Sequence, residues 1–150
     1  MATVRTNTEV VRPDPYWLMT SVLIIVDQLT KLLTVGVTKE HALGPLSFGR
    51  LINSDGALGL SLSNPQLILL AVVICLLILF LLIVDAKKPP ARLGLWLVLG
   101  GAFSNLLDRI FAGGAVDLVS IAGSPWFNLA DIFIVLGAAW MLRSIWWRRD

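Results

Sequence analysis

A chain of 150 residues that is 57% hydrophobic and 15% charged, with a mean hydropathy of +0.82, has too little polar surface to cover a water-soluble fold; soluble domains carry about 25% charged residues. The net charge is only +2, and the basic residues flank apolar runs instead of forming a stripe, so no nucleic-acid partner is expected. The single cysteine, Cys75, rules out a disulfide within the chain, and lipid is the solvent this composition requires.

A bilayer core about 30 Å thick takes about 20 apolar residues in a helix. Four stretches qualify, at about 16–35, 66–84, 93–111 and 127–145. The expected fold is therefore an all-α integral membrane protein, a single transmembrane domain over 1–150, with four transmembrane helices. Arg5 and Arg12 before the first run suggest a cleaved signal peptide, but Asp27 and Lys31 interrupt it and no small-x-small site follows, so the helix is retained. In the first loop, residues 46–62 mix apolar residues with Gly, Asn, Asp and Ser, which predicts a small extended or β element with turns. The second span has no ionisable residue from Gln66 to Val84 and reads as a supporting helix, with Cys75 as packing. The loop from about 112 to 126 is short and rich in glycine.

Basic residues set the orientation. Arg5 and Arg12, then Lys87, Lys88 and Arg92, then Arg143, Arg148 and Arg149 fall on one side of four spans, which the positive-inside rule makes cytoplasmic. Lys39 and Arg50 lie on the other side, in the first outer loop. Trp17, Trp146 and Trp147 would then belong to the inner aromatic belt and Trp126 to the outer one.

Ionisable groups inside spans are costly and normally pair or line a polar cavity. At a rise of 1.5 Å per residue, Asp27 lies about 15 Å and Lys31 about 21 Å from the inner edge. Asn105 and Asp108 lie about 20 and 24 Å up the third span, and Asp131 about 6 Å below the outer end of the fourth. Three helices thus bring polar residues to one layer in the outer half. Asp27/Lys31 at i,i+4, and Asn105/Asp108 and Asn128/Asp131 at i,i+3, each share a helix face. Asp27 with Lys31 reads first as a structural ion pair. Arg109 either snorkels to the interface or joins the site. Asp117 and Asp131 have too few cations for that reading.

The residue types narrow the chemistry. One histidine, His41, sits in the first outer loop as a solvated residue, and there is no H-E-x-x-H, so neither zinc nor any other metal or cofactor is expected. Ser104 and Ser124 lack G-x-S-x-G and an imidazole; a Ser–Lys pair with Lys31 is the weaker option. No glycine-rich phosphate loop follows a strand. Paired aspartates remain: two carboxylates sharing a site keep one proton between them, so one can take a proton from water while the other polarises a carbonyl.

Four boxes then carry a resemblance. Asp27-Gln28-Leu29-Thr30-Lys31 resembles the D-Q-x-x-K box of the lipoprotein signal peptidase (signal peptidase II) family. The run from Gly100-Gly101-Ala102 through Asn105 to Asp108-Arg109 resembles its G-G-A-x-x-N-x-x-D-R box. Val116-Asp117 after Gly113, and Phe127-Asn128-Leu129-Ala130-Asp131, resemble the last two, in the family's order. The resemblance implies a catalytic pair at Asp117 and Asp131. Asp27, Lys31, Asn53, Asn105, Asp108, Arg109 and Asn128 take supporting or substrate-binding positions, with Asp108 the rival of Asp117 for acid–base work.

By the same resemblance the chain is an intramembrane aspartic endopeptidase of the bacterial cytoplasmic (inner) membrane. It would remove the signal peptide from diacylglyceryl-modified prolipoproteins, cleaving before the lipidated cysteine. Both termini would face the cytoplasm and the site the outer surface. Membrane lipids and the prolipoprotein are the expected partners, a monomer the expected state, and globomycin-like cyclic peptides the expected inhibitors. Two departures stand out: Asp55 occupies the usual glycine place after Asn53 in the stretch running to Gly59, and the short segment from Asp117 to Asp131 implies a reduced flap. An ion- or proton-coupled transporter and a structural membrane subunit are the alternatives; neither an inverted repeat nor a discontinuous helix pair supports the transporter.

Overall fold

The computed structural model describes residues 14–54, 62–84 and 89–146. Arg5, Arg12, Lys87, Lys88, Trp147, Arg148, Arg149 and the part of the first-loop box from Asp55 to Gly59 lie outside the described residues. The elements run α1 (Tyr16–Leu33), β1 (His41–Leu43), β2 (Leu46–Asn53), α2 (Asn64–Val84), α3 (Pro89–Phe111), β3 (Ala115–Ile121) and α4 (Leu129–Trp146). Among the described residues, Tyr16–Leu33, Asn64–Val84 and Ala91–Phe111 are long and apolar enough to cross a membrane.

Local chemistry explains where the helices begin. Ser63 and Gln66 form a capping box before α2, Gln66 Oε1 accepting the Ser63 backbone N–H at 2.9 Å. Pro65 occupies the first turn, where its missing N–H costs nothing. Asn128 and Asp131 cap α4 reciprocally: Asn128 Oδ1 accepts the Asp131 N–H at 3.0 Å, and Asp131 Oδ2 accepts the Asn128 N–H at 3.1 Å. That cap starts the helix at Leu129, two residues after the start expected from hydropathy.

The core joins α2 to α3. Cys75, Ile78 and Leu82 pack against Leu95, Leu99 and Ala102, both sets at i,i+3/i+4 spacing, and Cys75 is a packing residue as expected. α3 and α4 approach backbone to backbone. A Cβ on Gly94 would lie 2.7 Å from the Gly137 carbonyl oxygen, and one on Gly101 would strike the carbonyl oxygen of Ala130.

A three-stranded antiparallel sheet in the order β1-β2-β3 covers one end of the helices. Leu51 pairs with Asp117 and Asn53 with Ala115, after a register break between Phe48 and Leu51. Of the extended stretch predicted over 46–62, Leu46–Asn53 is β2 and residues 55–61 lie outside the described residues; β1, at His41–Leu43, precedes that stretch, and the third strand comes from the segment read as a short glycine-rich loop. That reading is corrected: Ala115–Ile121 pairs antiparallel with β2 once Gly113, at φ +80, has turned the chain.

At the opposite end Asp14 joins three helices. Its carboxylate accepts from the Arg92 guanidinium and, at 2.9 Å, from Trp96 Nε1, while Arg92 Nη1 donates to the Leu82 carbonyl at 3.1 Å.

Candidate active site

Below the sheet, α1, α3 and α4 hold a continuous polar network. Asp27 is fully buried (0% exposed). Its Oδ2 accepts from Lys31 Nζ at 2.6 Å and from the Ser104 hydroxyl at 2.7 Å, and its Oδ1 accepts the Ala130 N–H at 2.9 Å. Lys31, 3% exposed, also reaches Asp108 Oδ2 at 2.6 Å and Asn105 Oδ1 at 3.3 Å. Asp108 accepts Gln28 Nε2 on Oδ1 at 2.9 Å and the Val116 N–H on Oδ2 at 3.1 Å. The pair expected within α1 is therefore one half of a cluster that reaches α3, β3 and α4.

Above it lie the other two aspartates. Asp117, on β3, is 3% exposed; its Oδ1 accepts Asn128 Nδ2 at 2.9 Å and its Oδ2 accepts Asn53 Nδ2 at 3.4 Å. Asp131, in the first turn of α4, accepts Asn105 Nδ2 on Oδ1 at 2.8 Å and the Asn128 N–H on Oδ2 at 3.1 Å. Asn128 touches both carboxylates and also donates to Asn105 Oδ1 at 3.0 Å. Burial, and then the negative charge of Asp131, push the Asp117 carboxyl up to about 6, against the pull of Asn53, Asn128 and the charge of Lys31. Asp117 can thus hold a proton up to about pH 6.

Arg109 does not snorkel. It is 8% exposed, and its Nη1 donates to the Asn53 carbonyl and to Asn64 Oδ1, each at 3.4 Å. Asn64 Nδ2 returns a bond to the Arg109 carbonyl at 3.0 Å, and the guanidinium charge acts on Asp117, Asp108 and Asp131. An inward turn is favoured because it places a cation among three carboxylates. The Ser–Lys option is also corrected: the Ser104 hydroxyl donates to Asp27, and Lys31 is held between two carboxylates. Ser124 lies in a turn, donating to the Pro125 carbonyl. His41 is exposed on β1, away from the network.

The structure thus brings together Asp27, Lys31, Asn53, Asn105, Asp108, Arg109, Asp117, Asn128 and Asp131. Three participants escaped the sequence reading of the site. Gln28 lies at i,i+3 from Lys31 inside a quoted box, and that spacing could have found it. Asn64 and Arg50 carried no such signal. Arg50, read only as a basic loop residue, donates to the Lys31 carbonyl at 2.6 Å and so closes the C-terminal end of α1 from the β2 bulge. Beside Asp117 a groove of about 420 Å³ opens, lined by Leu51, Ile52, Asn53, Ser54, Pro125 and Trp126.

The sequence profile described as signal peptidase (SPase) II matches residues 19–147. The chain belongs to the signal peptidase II family. It is 36% identical over 133 residues to the lipoprotein signal peptidase of Enterococcus faecalis strain V583, covering 81% of each chain. With that of Chlorobium phaeobacteroides strain BS1 it shares 30% over 154 residues, 89% of this chain and 96% of the relative. A solved structure described as a bacterial membrane enzyme, determined in meso at 2.3 Å, has the same fold: TM-score 0.80 at 22% identity, covering 90% of this chain and 89% of that one. Signal peptidase II membership makes the chain a bacterial membrane protease.

Proposed function

We propose that this signal peptidase II family member is an aspartic endopeptidase in which Asp117 and Asp131 share one proton and cut lipid-modified prolipoproteins before the lipidated cysteine. The observation that carries this reading is Asn128, which hydrogen-bonds both carboxylates at once, one of them held near neutral protonation. Asp131 takes a proton from water as the oxygen attacks the scissile carbonyl carbon, while the Asp117 proton goes to the carbonyl oxygen. Collapse of the tetrahedral intermediate breaks the C–N bond. Asp131 then gives its proton to the leaving amine, and the hydroxyl proton of the intermediate returns to Asp117. Asp108 is left out of this cycle because it is held in an ion pair with Lys31 at 2.6 Å, whereas the hydrogen bonds to Asp117 and Asp131 come from Asn side chains and a backbone N–H.

The groove beside Asp117 suits an extended peptide, with apolar walls at Leu51, Ile52 and Trp126 and polar groups at Asn53 and Ser54. In this reading the chain is one domain of four membrane spans, both termini cytoplasmic and the sheet at the outer face. There it works as a monomer among lipids, and globomycin-like cyclic peptides compete for the groove. Asn53, Asn105, Arg109 and Asn128 orient the pair or the substrate carbonyl.

Cleavage of a lipidated precursor by the purified full chain in detergent tests the mechanism. Asp117→Asn and Asp131→Asn are each expected to lower kcat by about 10³-fold or more, with thermal unfolding still cooperative. Turnover retained in both variants removes the aspartic mechanism; a transporter or structural subunit would show no cleavage to lose.

A further inference from the structure

Between the two aspartates runs a second, hidden connection. The residue before Asp131 is Ala130, whose N–H is accepted by Asp27 at 2.9 Å. The residue before Asp117 is Val116, whose N–H is accepted by Asp108 at 3.1 Å. Lys31 Nζ joins these two carboxylates at 2.6 Å each. We propose that Lys31, with Asp27 and Asp108, is a positioning device that sets the separation of Asp117 and Asp131 through the backbone N–H preceding each. This deepens the reading of those two aspartates as the catalytic pair and rests on it.

Three features distinguish the arrangement from a helix-to-helix ion pair. First, two anions surround one cation at exposures of 0, 3 and 4%, a composition that stabilises a fold poorly compared with apolar packing. Second, every carboxylate oxygen has a donor: Ser104 orients Asp27 and Gln28 orients Asp108, so the rotamers are fixed before substrate arrives. Third, the cluster reaches the first turn of α4 and the second residue of β3, the two places whose relative position decides whether one water fits between the reacting oxygens. Both placements originate on α1 and α3, which Gln28 ties together by donating to the Ser104 carbonyl at 3.1 Å. A misplacement of about 1 Å in such a site costs on the order of 100-fold in rate.

An ammonium is a compact point donor, whereas a guanidinium is a planar fork that holds carboxylates farther away. Lys31→Arg therefore preserves the charge while lengthening the connection. In detergent, with the lipidated precursor, Lys31→Arg is expected to unfold near the wild-type Tm and to lose about 10- to 100-fold in kcat, with KM within about threefold. A wild-type kcat, or a KM change alone, overturns the assignment, because charge compensation would then be the whole role of Lys31.

The triple variant Asp27→Asn/Lys31→Met/Asp108→Asn removes all three charges while leaving amide oxygens to accept the Ala130 and Val116 N–H groups. It decides the matter if Lys31→Arg does not fold: about a 100-fold loss in kcat supports the device, and wild-type turnover overturns it. Failure of both variants to fold also overturns it, since the cluster is then structural. Asp117→Asn assayed in parallel separates the two levels. Activity in that variant removes the catalytic pair itself, whereas an inactive Asp117→Asn beside a fully active Lys31→Arg removes only the positioning device.

Discussion

Both ends of the helix bundle hold carboxylates against a cation, and the two clusters are built for different tasks. At the Asp14 end, among the described residues, one anion meets one cation, with side chains 14 and 16% exposed, and the partners include the Leu82 carbonyl and the Trp96 indole. At the sheet end two anions meet Lys31 with side chains no more than 4% exposed. The first cluster, among the described residues, is a single partly exposed pair that fastens helix ends. The second concentrates negative charge in the interior, tolerable only because every oxygen has a donor, and it adjoins two further carboxylates. An excess of acid with complete hydrogen bonding suits the reactive role proposed for the neighbouring pair; a single pair at a rim suits a fastening.

The sharpest way to break this comparison is to remove one carboxylate from each end. Asp27→Ala leaves Lys31 on Asp108 and Asn105 alone and takes the acceptor from both the Ser104 hydroxyl and the Ala130 N–H, so the loss should be about 3–5 kcal/mol, the sum of two buried polar groups left unpaired and one ion pair broken. Asp14→Ala leaves Arg92 near water with the Leu82 carbonyl still bonded, and the expected loss is about 1 kcal/mol. Denaturant or thermal unfolding in one detergent compares them directly. Equal losses would mean that depth does not separate the two clusters.

Asp117 sharpens the comparison through pH. Its folded-state pKa is raised, to about 6 from 3.8, so the folded protein holds this proton more tightly than the unfolded chain. Below the lower value both states are protonated and nothing is lost; stability falls as pH rises from 3.8 to about 6 and stays lower above. Asp117→Asn removes that penalty, so relative to wild type it should gain up to about 3 kcal/mol more at pH 8 than at pH 3.5. Tm measured at both pH values checks it, and a difference of the opposite sign would place the carboxyl in a stabilising pair. On the proposed mechanism, wild-type kcat/KM should fall above about pH 6, where Asp117 loses its proton.

Much of this was legible in the order of residues, for reasons that differ between elements. Predominantly apolar runs of helix length mark α1 to α4 as helices, and among the described residues three of them, in α1, α2 and α3, are long and apolar enough to cross a membrane. The interruptions at Asp27, Lys31, Asn105, Asp108, Asn128 and Asp131 mark the site because spacing puts each pair on one face. β3 was not legible: Ala115–Ile121 is short, follows two glycines, and acquires its ladder only from β2, more than sixty positions away in the chain. Arg109 was ambiguous for the same reason, since its inward turn depends on the arrival of Asn53 and Asn64 from elsewhere. Arg50 read only as a basic residue of the first loop until the β2 bulge carried it to the end of α1. Local pattern reveals faces, and long-range pairing decides which faces meet.

The smallest test uses the two glycine contacts between α3 and α4, one at each end. A methyl on Gly94 would press on the Gly137 carbonyl, and one on Gly101 on the carbonyl of Ala130. Both Gly94→Ala and Gly101→Ala should therefore cost about 1–3 kcal/mol by overpacking, so unfolding alone will not tell them apart. Turnover will. Gly101→Ala pushes on the turn that carries Asp131 and whose Ala130 N–H donates to Asp27, and about a tenfold loss of kcat is expected. Gly94→Ala pushes on the Asp14 end and should leave kcat at the wild-type value, measured well below its Tm. Equal rate losses would show that the helices shift as one rigid pair, and the division of labour between the two ends would not hold.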